Sequence, residues 1–201
     1  ITRTSYLVPL PYFAKFAHMD WITCKKCSAA SAAELINDGD VLGVSGFTLA
    51  GYPKAVPLAL AKRAEQLHAS GEHFQVTLFA GASTGDSCDG ALSRAGALKL
   101  RMPYQSNPSL RKGINDGSID YIDAHLGKMG YLVRTGAVPA PTVAIIEVSA
   151  IFPDGRVCLS TSGGNSVCYL EMAPKIMPTR LPFPPDMLMP PSTMAATACI
   201  S

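Results

Sequence analysis

Val41-Leu42-Gly43-Val44-Ser45-Gly46-Phe47-Thr48-Leu49-Ala50-Gly51-Tyr52-Pro53-Lys54 reads as a short buried strand, a glycine-punctuated loop and the opening of a helix. Branched and aliphatic residues bounded by glycine, apolar on both faces, mark a strand of a parallel sheet. The loop leaves the carboxyl end of that strand. Open α/β sheets bind ligands there, because successive loops diverge and helix amino termini aim free N–H groups into the gap. Gly46 and Gly51 either let the backbone approach a ligand or serve only a tight strand-to-helix turn, and spacing alone leaves both readings open.

Working outward, Ser28 to Asn37 predicts a helix capped by Ser28 and stopped by Gly39. Pro53 to Ala69 predicts another, with Ala55, Val56, Leu60, Ala64 and Leu67 on one stripe and Pro57 confined to the first turn. Phe74 to Ala80 is a second strand, and it too ends in a loop of small residues, Gly81-Ala82-Ser83-Thr84-Gly85. Two such loops at one end of one sheet converge on a single crevice. Neither carries G-x-G-x-x-G or G-x-x-x-x-G-K-[ST], so a nucleotide phosphate site is not indicated. Ser83 lacks the G-x-S-x-G elbow of a hydrolase nucleophile and reads as a hydroxyl that hydrogen-bonds a ligand or caps the turn.

Further along, Ser87 to Leu100 predicts a helix broken at Met102-Pro103-Tyr104-Gln105, and Asn107 with Pro108 opens a short helix ending at Gly117. Ile119 to Asp123 is a third strand, followed by His125, a structural hydrogen-bonder or a base. Leu126 to Thr135 is helical. The run from Thr142 to Ile151 is the most apolar strand, and Pro153-Asp154-Gly155-Arg156 turns it into a short partner, Val157 to Ser160. Glu147 stands inside that run. A core-facing carboxylate there must be paired or hydrogen-bonded to a neighbouring loop, or else be activated for catalysis. Beyond Lys175, prolines at 178, 182, 184, 185, 190 and 191 predict neither helix nor central strand.

The 201 residues are 48% hydrophobic and 16% charged, enough to bury one large α/β core. A net charge of +2 gives no electrostatic footprint for nucleic acid, and no apolar run reaches the length of a membrane span. Six scattered cysteines in a chain of this size point to a reducing compartment. Cys24-Lys25-Lys26-Cys27 is half a zinc site with no answering pair, so no metal is expected. The basic residues among the first 26 positions hint at a mitochondrial leader, and a cytoplasmic location is the first expectation.

Several motifs, in order, resemble the acetyl-CoA hydrolase/transferase family of class I CoA-transferases. They are Ser45-Gly46-Phe47-Thr48-Leu49-Ala50-Gly51-Tyr52-Pro53-Lys54-Ala55-Val56-Pro57, Gly81-Ala82-Ser83-Thr84-Gly85-Asp86, Pro103-Tyr104-Gln105, Ile119 to Leu126, and Thr161-Ser162-Gly163-Gly164-Asn165-Ser166. The resemblance covers roughly Ser28 to Lys175, the family's amino-terminal domain. It implies an α/β fold with a largely parallel sheet and helices on both faces. It further implies a ping-pong transfer in which a glutamate carboxylate attacks an acyl-CoA thioester, and a glutamyl-CoA thioester then passes CoA to another carboxylate such as acetate or succinate.

By that resemblance the nucleophilic glutamate belongs to a second domain, so no catalytic residue is expected in this chain. Gly46, Phe47, Thr48, Gly81, Ser83, Thr84 and Gly85 are expected to line the substrate and oxyanion side of the cleft. Coenzyme A is a substrate, with no permanently bound cofactor. The partners are acyl-CoA, small carboxylates and a second CoA-transferase domain, with a homodimer allowed. The expected organisation is an irregular arm at 1–27, the family domain at 28–175, and an aberrant or disordered Pro/Met-rich tail at 176–201, read as out-of-frame or unrelated sequence. A different class of function, a non-catalytic truncated domain that binds carboxylate, CoA or a partner chain, fits the same residues.

Overall fold

The computed structural model of the chain describes residues 26–151 and 157–180, and the backbone of 197–198. Nine strands form one sheet: β1 Lys26–Cys27, β2 Val41–Val44, β3 Val76–Phe79, β4 Leu98–Met102, β5 Asp120–Tyr121, β6 Val143–Ile151, β7 Val157–Leu159, β8 Lys175–Arg180 and β9 Thr197–Ala198. Their order is β1-β9-β8-β6-β2-β3-β4-β5, with β7 paired to β6. The run from β8 through β6, β2, β3 and β4 to β5 is parallel throughout, and the antiparallel pairings all involve β1, β7 or β9.

The helices are α1 Ala29–Glu34, α2 Ala55–Ala69, α3 Ala91–Arg94, α4 Pro108–Asn115, α5 Met129–Arg134 and α6 Ser166–Met172. A π-turn at Asp86–Gly90 leads into α3, and a 3₁₀ turn at Leu126–Lys128 leads into α5. They cover both faces of the sheet, as expected. On one face Ala32, Leu60, Leu92 and Leu110 pack on Leu42, Val76, Leu78 and Ile145; on the other Met129, Val133 and Tyr169 pack on Phe79, Ala144 and Ile146. Successive β6 side chains thus alternate between two cores, which is why the strand reads as continuously apolar.

Local chemistry explains the helix starts. Ser28 accepts from the Ser31 N–H, and Asn107 accepts from Ser109 and Leu110 ahead of a proline at the first helical position. Pro57 lies in the first turn of α2. The strands expected at 74–80 and 119–123 are present but shorter, and α1 ends three residues before Asn37.

Two expectations are corrected. Residues 87–100 are not one helix: helical structure ends at Arg94, Gly96 turns the chain at φ +65°, and 98–102 is strand β4 between β3 and β5. The alternation Leu98, Leu100, Met102 has strand period, but Lys99 and Arg101 between them mimic a helix's polar face. Arg101 is in fact fully buried, because Asp89 of the π-turn neutralises it. The second correction lies past Lys175. Residues 175–180 form β8, parallel to β6 over six residue pairs, with Pro178 opposite Ile146. β8 meets β9 at the single pair Thr179 and Thr197, so Pro178 sits where the ladder is one-sided and a missing N–H is tolerated. The arm at 1–25, the turn at 153–156 and the stretches 181–196 and 199–201 lie outside the described residues.

Candidate ligand crevice at the carboxyl edge of the sheet

β2 and β3 pair in register, Leu42 beside Leu78 and Gly43 beside Phe79, so their following loops emerge side by side. The two loops touch through backbone. A Cβ on Gly81 would fall 1.7 Å from the Gly46 carbonyl oxygen, and Thr48 N–H donates to Ala82 O at 3.2 Å. Within the first loop, Phe47 and Ala50 exchange both backbone bonds, at 2.8 and 3.0 Å, which throws Phe47 and Leu49 outward. Among the described residues the non-glycine residues with positive φ are Thr48, at 55°, and Ser83, at 64°. A left-handed backbone costs such residues about 1–3 kcal/mol and persists only where the surroundings impose it. Both strained residues lie in these two loops.

Ser83 is held tightly. Its N–H is shared between Gly81 O and Tyr104 O, and its Oγ accepts from Ser106 N–H at 3.0 Å and Ser106 Oγ at 2.9 Å. The next residue is anchored from below: Thr84 N–H donates to Asp89 Oδ2 at 2.8 Å. Asp89 in turn accepts from Arg101 Nε at 2.9 Å and Nη2 at 3.0 Å, and the remaining guanidinium contacts are Met102 O and, at 3.4 Å, Gly81 O. Both members of this ion pair are 0% exposed. Burial works against the Arg101 charge, but the Asp89 charge and hydrogen bonds more than offset it and raise the guanidinium above its ordinary range. Cys88, beside them, is pushed up to about 12 by burial and then by Asp89, which leaves its thiol inert.

A third loop packs against the first. A Cβ on Gly51 would meet Ser162 Oγ at 2.6 Å, and one on Gly164 would lie 3.7 Å from Gly46 O. Glu147 is buried beneath, paired with Lys54 at 2.7 Å and accepting from Ser160 Oγ at 2.9 Å. Of the two roles open to it, the hydrogen bond to neighbouring loops is the one present. His125 caps the turn after it by accepting from Gly127 N–H at 3.2 Å, a structural role.

The residues of the two loops lie together at one edge of the sheet. Phe47 and Thr48 are exposed, and Gly46, Gly81, Ser83, Thr84 and Gly85 are buried behind them, with the Tyr52 hydroxyl against Gly85. The backbone N–H groups of Phe47, Thr48, Ser83 and Thr84 already have protein acceptors. These four backbone donors are therefore already spent within the protein. Sequence reasoning missed Asp89, Arg101, Ser106 and Ser160. The one available signal was the strand-period alternation at 98–102; the partners of Arg101 and Ser83 lie 12 and 23 residues away, with no local pattern to pair them.

Comparison with known proteins places this geometry. The acetyl-CoA hydrolase/transferase N-terminal domain family matches residues 18–179. The chain is 43% identical over 153 residues to the succinyl-CoA:acetate CoA-transferase of Clostridium kluyveri, covering 76% of this chain and 28% of that one. It is 41% identical over 152 residues to the propanoyl-CoA:succinate CoA transferase of Escherichia coli, covering 76% and 31%. The chain thus spans about a third or less of the length of these relatives. Its fold is similar to that of glutaconate coenzyme A-transferase from Acidaminococcus fermentans, with a TM-score of 0.62 at 17% identity, over 77% of this chain and 66% of that one. The chain belongs to the acetyl-CoA hydrolase/transferase family and corresponds to its amino-terminal domain.

Proposed function

We propose, on the premise of that membership, that this chain supplies one wall of a CoA-transferase or acyl-CoA hydrolase cleft, in which CoA moves between acyl-CoA thioesters and small carboxylates such as acetate and succinate. The observation that carries this reading is the pair of interlocked loops at the ends of β2 and β3, each holding one strained residue, Thr48 or Ser83. Strain of that kind is kept where a side chain must be aimed. Ser83, with Oγ accepting from Ser106, is the group we assign to a carboxylate or developing thioester oxyanion. Gly46, Phe47, Thr48 and Gly81 shape the wall around it, and Thr84 and Gly85 support it.

The nucleophile is a glutamate of a second domain. That carboxylate attacks the thioester carbonyl and expels the CoA thiolate, leaving an acyl–glutamyl anhydride. The thiolate then attacks the glutamyl carbonyl, which forms the glutamyl-CoA thioester and releases the acyl group as its carboxylate. A second carboxylate reverses these steps to leave as a new acyl-CoA, or water hydrolyses the thioester to free CoA, so that the glutamate is regenerated. Among the described glutamates, Glu34, Glu65 and Glu72 are exposed, Glu171 pairs with Arg134 on the surface, and Glu147 is locked to Lys54 and Ser160. A cytoplasmic location, ahead of a mitochondrial one, is consistent with free thiols at Cys88, Cys158 and Cys168. No helix of the described residues is long and apolar enough to cross a membrane.

The test is calorimetric titration of the chain with acetyl-CoA, succinate and acetate, beside a turnover assay with and without the separately expressed remainder of the Clostridium kluyveri relative. Binding alone, and turnover only on complementation, is the expected result. Binding that never converts to turnover would favour a non-catalytic module. Absence of both would reject the reading.

A further inference from the structure

Glu147 takes no part in the chemistry proposed above, yet two loops are bonded to it and a third is reached through them. It is 3% exposed in the middle of β6, and a carboxylate so placed requires a cation and hydrogen bonds. Lys54 Nζ lies 2.7 Å from Oε2, and Ser160 Oγ donates to Oε1 at 2.9 Å. The Glu147 backbone N–H donates to Ser45 Oγ at 2.8 Å, and the Ser45 hydroxyl donates to Gly51 O at 2.8 Å. One strand residue therefore grips the 45–54 loop at its beginning and its exit, with Ser45 carrying the hold on to Gly51, and also the start of the 160–165 loop.

The grip extends to a loop that Glu147 does not touch. The Lys54 ammonium donates to Tyr52 O at 2.9 Å and lies 4.3 Å above the Tyr52 ring. That ring spans the two glycine loops. A Cβ on Gly46 would come 2.6 Å from Tyr52 Cβ, and one on Gly85 would come 2.2 Å from the Tyr52 hydroxyl. Because the ring is rigid and 7% exposed, displacing its base displaces its tip. Lys54 itself is 44% exposed, so its fixed position is imposed by these contacts and not by core packing.

We propose that Glu147 and Lys54 are a positioning pair that sets the spacing between the 45–54 and 81–85 loops, acting through the Tyr52 ring. The functional meaning of that spacing rests on the reading of these loops as the substrate wall, but its test requires no substrate. Amide hydrogen exchange followed by mass spectrometry on the 201-residue chain compares wild type with Lys54→Met, Glu147→Gln, Tyr52→Leu and Lys54→Arg. In Lys54→Met and Glu147→Gln, peptides covering 45–52 and 81–86 exchange about tenfold faster or more, while peptides from α2, β3 and β4 keep their wild-type rates. Tyr52→Leu loosens 81–86 in the same way, and Lys54→Arg restores protection. Acceleration confined to 45–52 overturns the proposal. So does equal acceleration across the sheet, which would make the pair a general stabiliser. Should Glu147→Gln fail to fold, the Lys54→Met variant, altered at a half-exposed side chain, decides the matter. Because no ligand is present, failure here leaves the carboxylate-binding reading standing, and failure of the titrations leaves this one standing.

Discussion

Replacing Asp89 by Asn tests the support beneath the Ser83 loop. Arg101 is 0% exposed and donates two hydrogen bonds to the Asp89 carboxylate, at 2.9 and 3.0 Å. The amide keeps the shape of the carboxylate but removes its charge, so a guanidinium is left buried without a counter-ion. Breaking a buried pair from one side costs about 3–5 kcal/mol, against a total stability of about 5–15 kcal/mol for a domain. The Thr84 N–H, now bound at 2.8 Å, loses a charged acceptor as well. A midpoint fall of about 6–20 °C is expected for a domain of this size, together with a matching loss in urea unfolding at unchanged slope. The double variant Asp89→Leu with Arg101→Met removes both charges and should recover part of that loss, because two apolar side chains of similar volume need no desolvation while the Thr84 N–H still loses its acceptor. A loss below about 1 kcal/mol for Asp89→Asn, or a double variant as unstable as the single one, would refute the reasoning.

Ser83→Ala, in the enzyme completed by a second domain, should lower kcat/KM by about 1–3 kcal/mol with little change in melting temperature; an unchanged kcat/KM would reduce Ser83 to a turn residue. Gly81→Ala places a methyl 1.7 Å from Gly46 O, where only backbone can yield, so denaturant titration should show a loss of about 1–3 kcal/mol or more, and an unaltered midpoint would mean the loops are not interlocked. The Cys88 thiol, raised from 9.0 to about 12 by burial, should resist iodoacetamide in the native chain at pH 8. Its folded-state value lies above its unfolded one, so the stability it contributes is complete below about pH 9 and is lost as pH rises toward 12; Cys88→Ala should flatten that alkaline decline in pH-dependent melting. Incubation of the chain alone with acetyl-CoA, then borohydride reduction and mass spectrometry, should yield no glutamyl-CoA adduct, and one on Glu147 would overturn the assignment of the nucleophile to a second domain.

Features set by short-range chemistry were legible from the residues. Pro57 and Pro108 in first turns, Ser28 and Asn107 as caps, and the apolar run Val143 to Ile146 of β6 each depend on neighbours within four positions. The pairing of the Gly46 and Gly81 loops was legible too, since parallel strands put consecutive loops at one end. β4 and β8 were not. Lys99 and Arg101 make β4 resemble an amphipathic helix, and Pro178 argues against a strand unless one knows that its outer ladder is nearly empty. Both errors come from judging a residue by its polarity or its missing donor without knowing what lies across from it.

The sequence by itself determined most of the alternation of strands and helices, the emergence of the Gly46 and Gly81 loops at one edge of the sheet, and the membership later seen in the match over residues 18–179. Tertiary structure alone decided which polar groups are spent on contacts within the protein. Thr84 gives its N–H to Asp89, Ser83 takes two hydrogen bonds from Ser106, and Glu147 binds a lysine 93 residues away. Such pairings are contacts at long range in the chain. Their strength comes from exclusion of water in the folded state, a condition no local segment of sequence can meet.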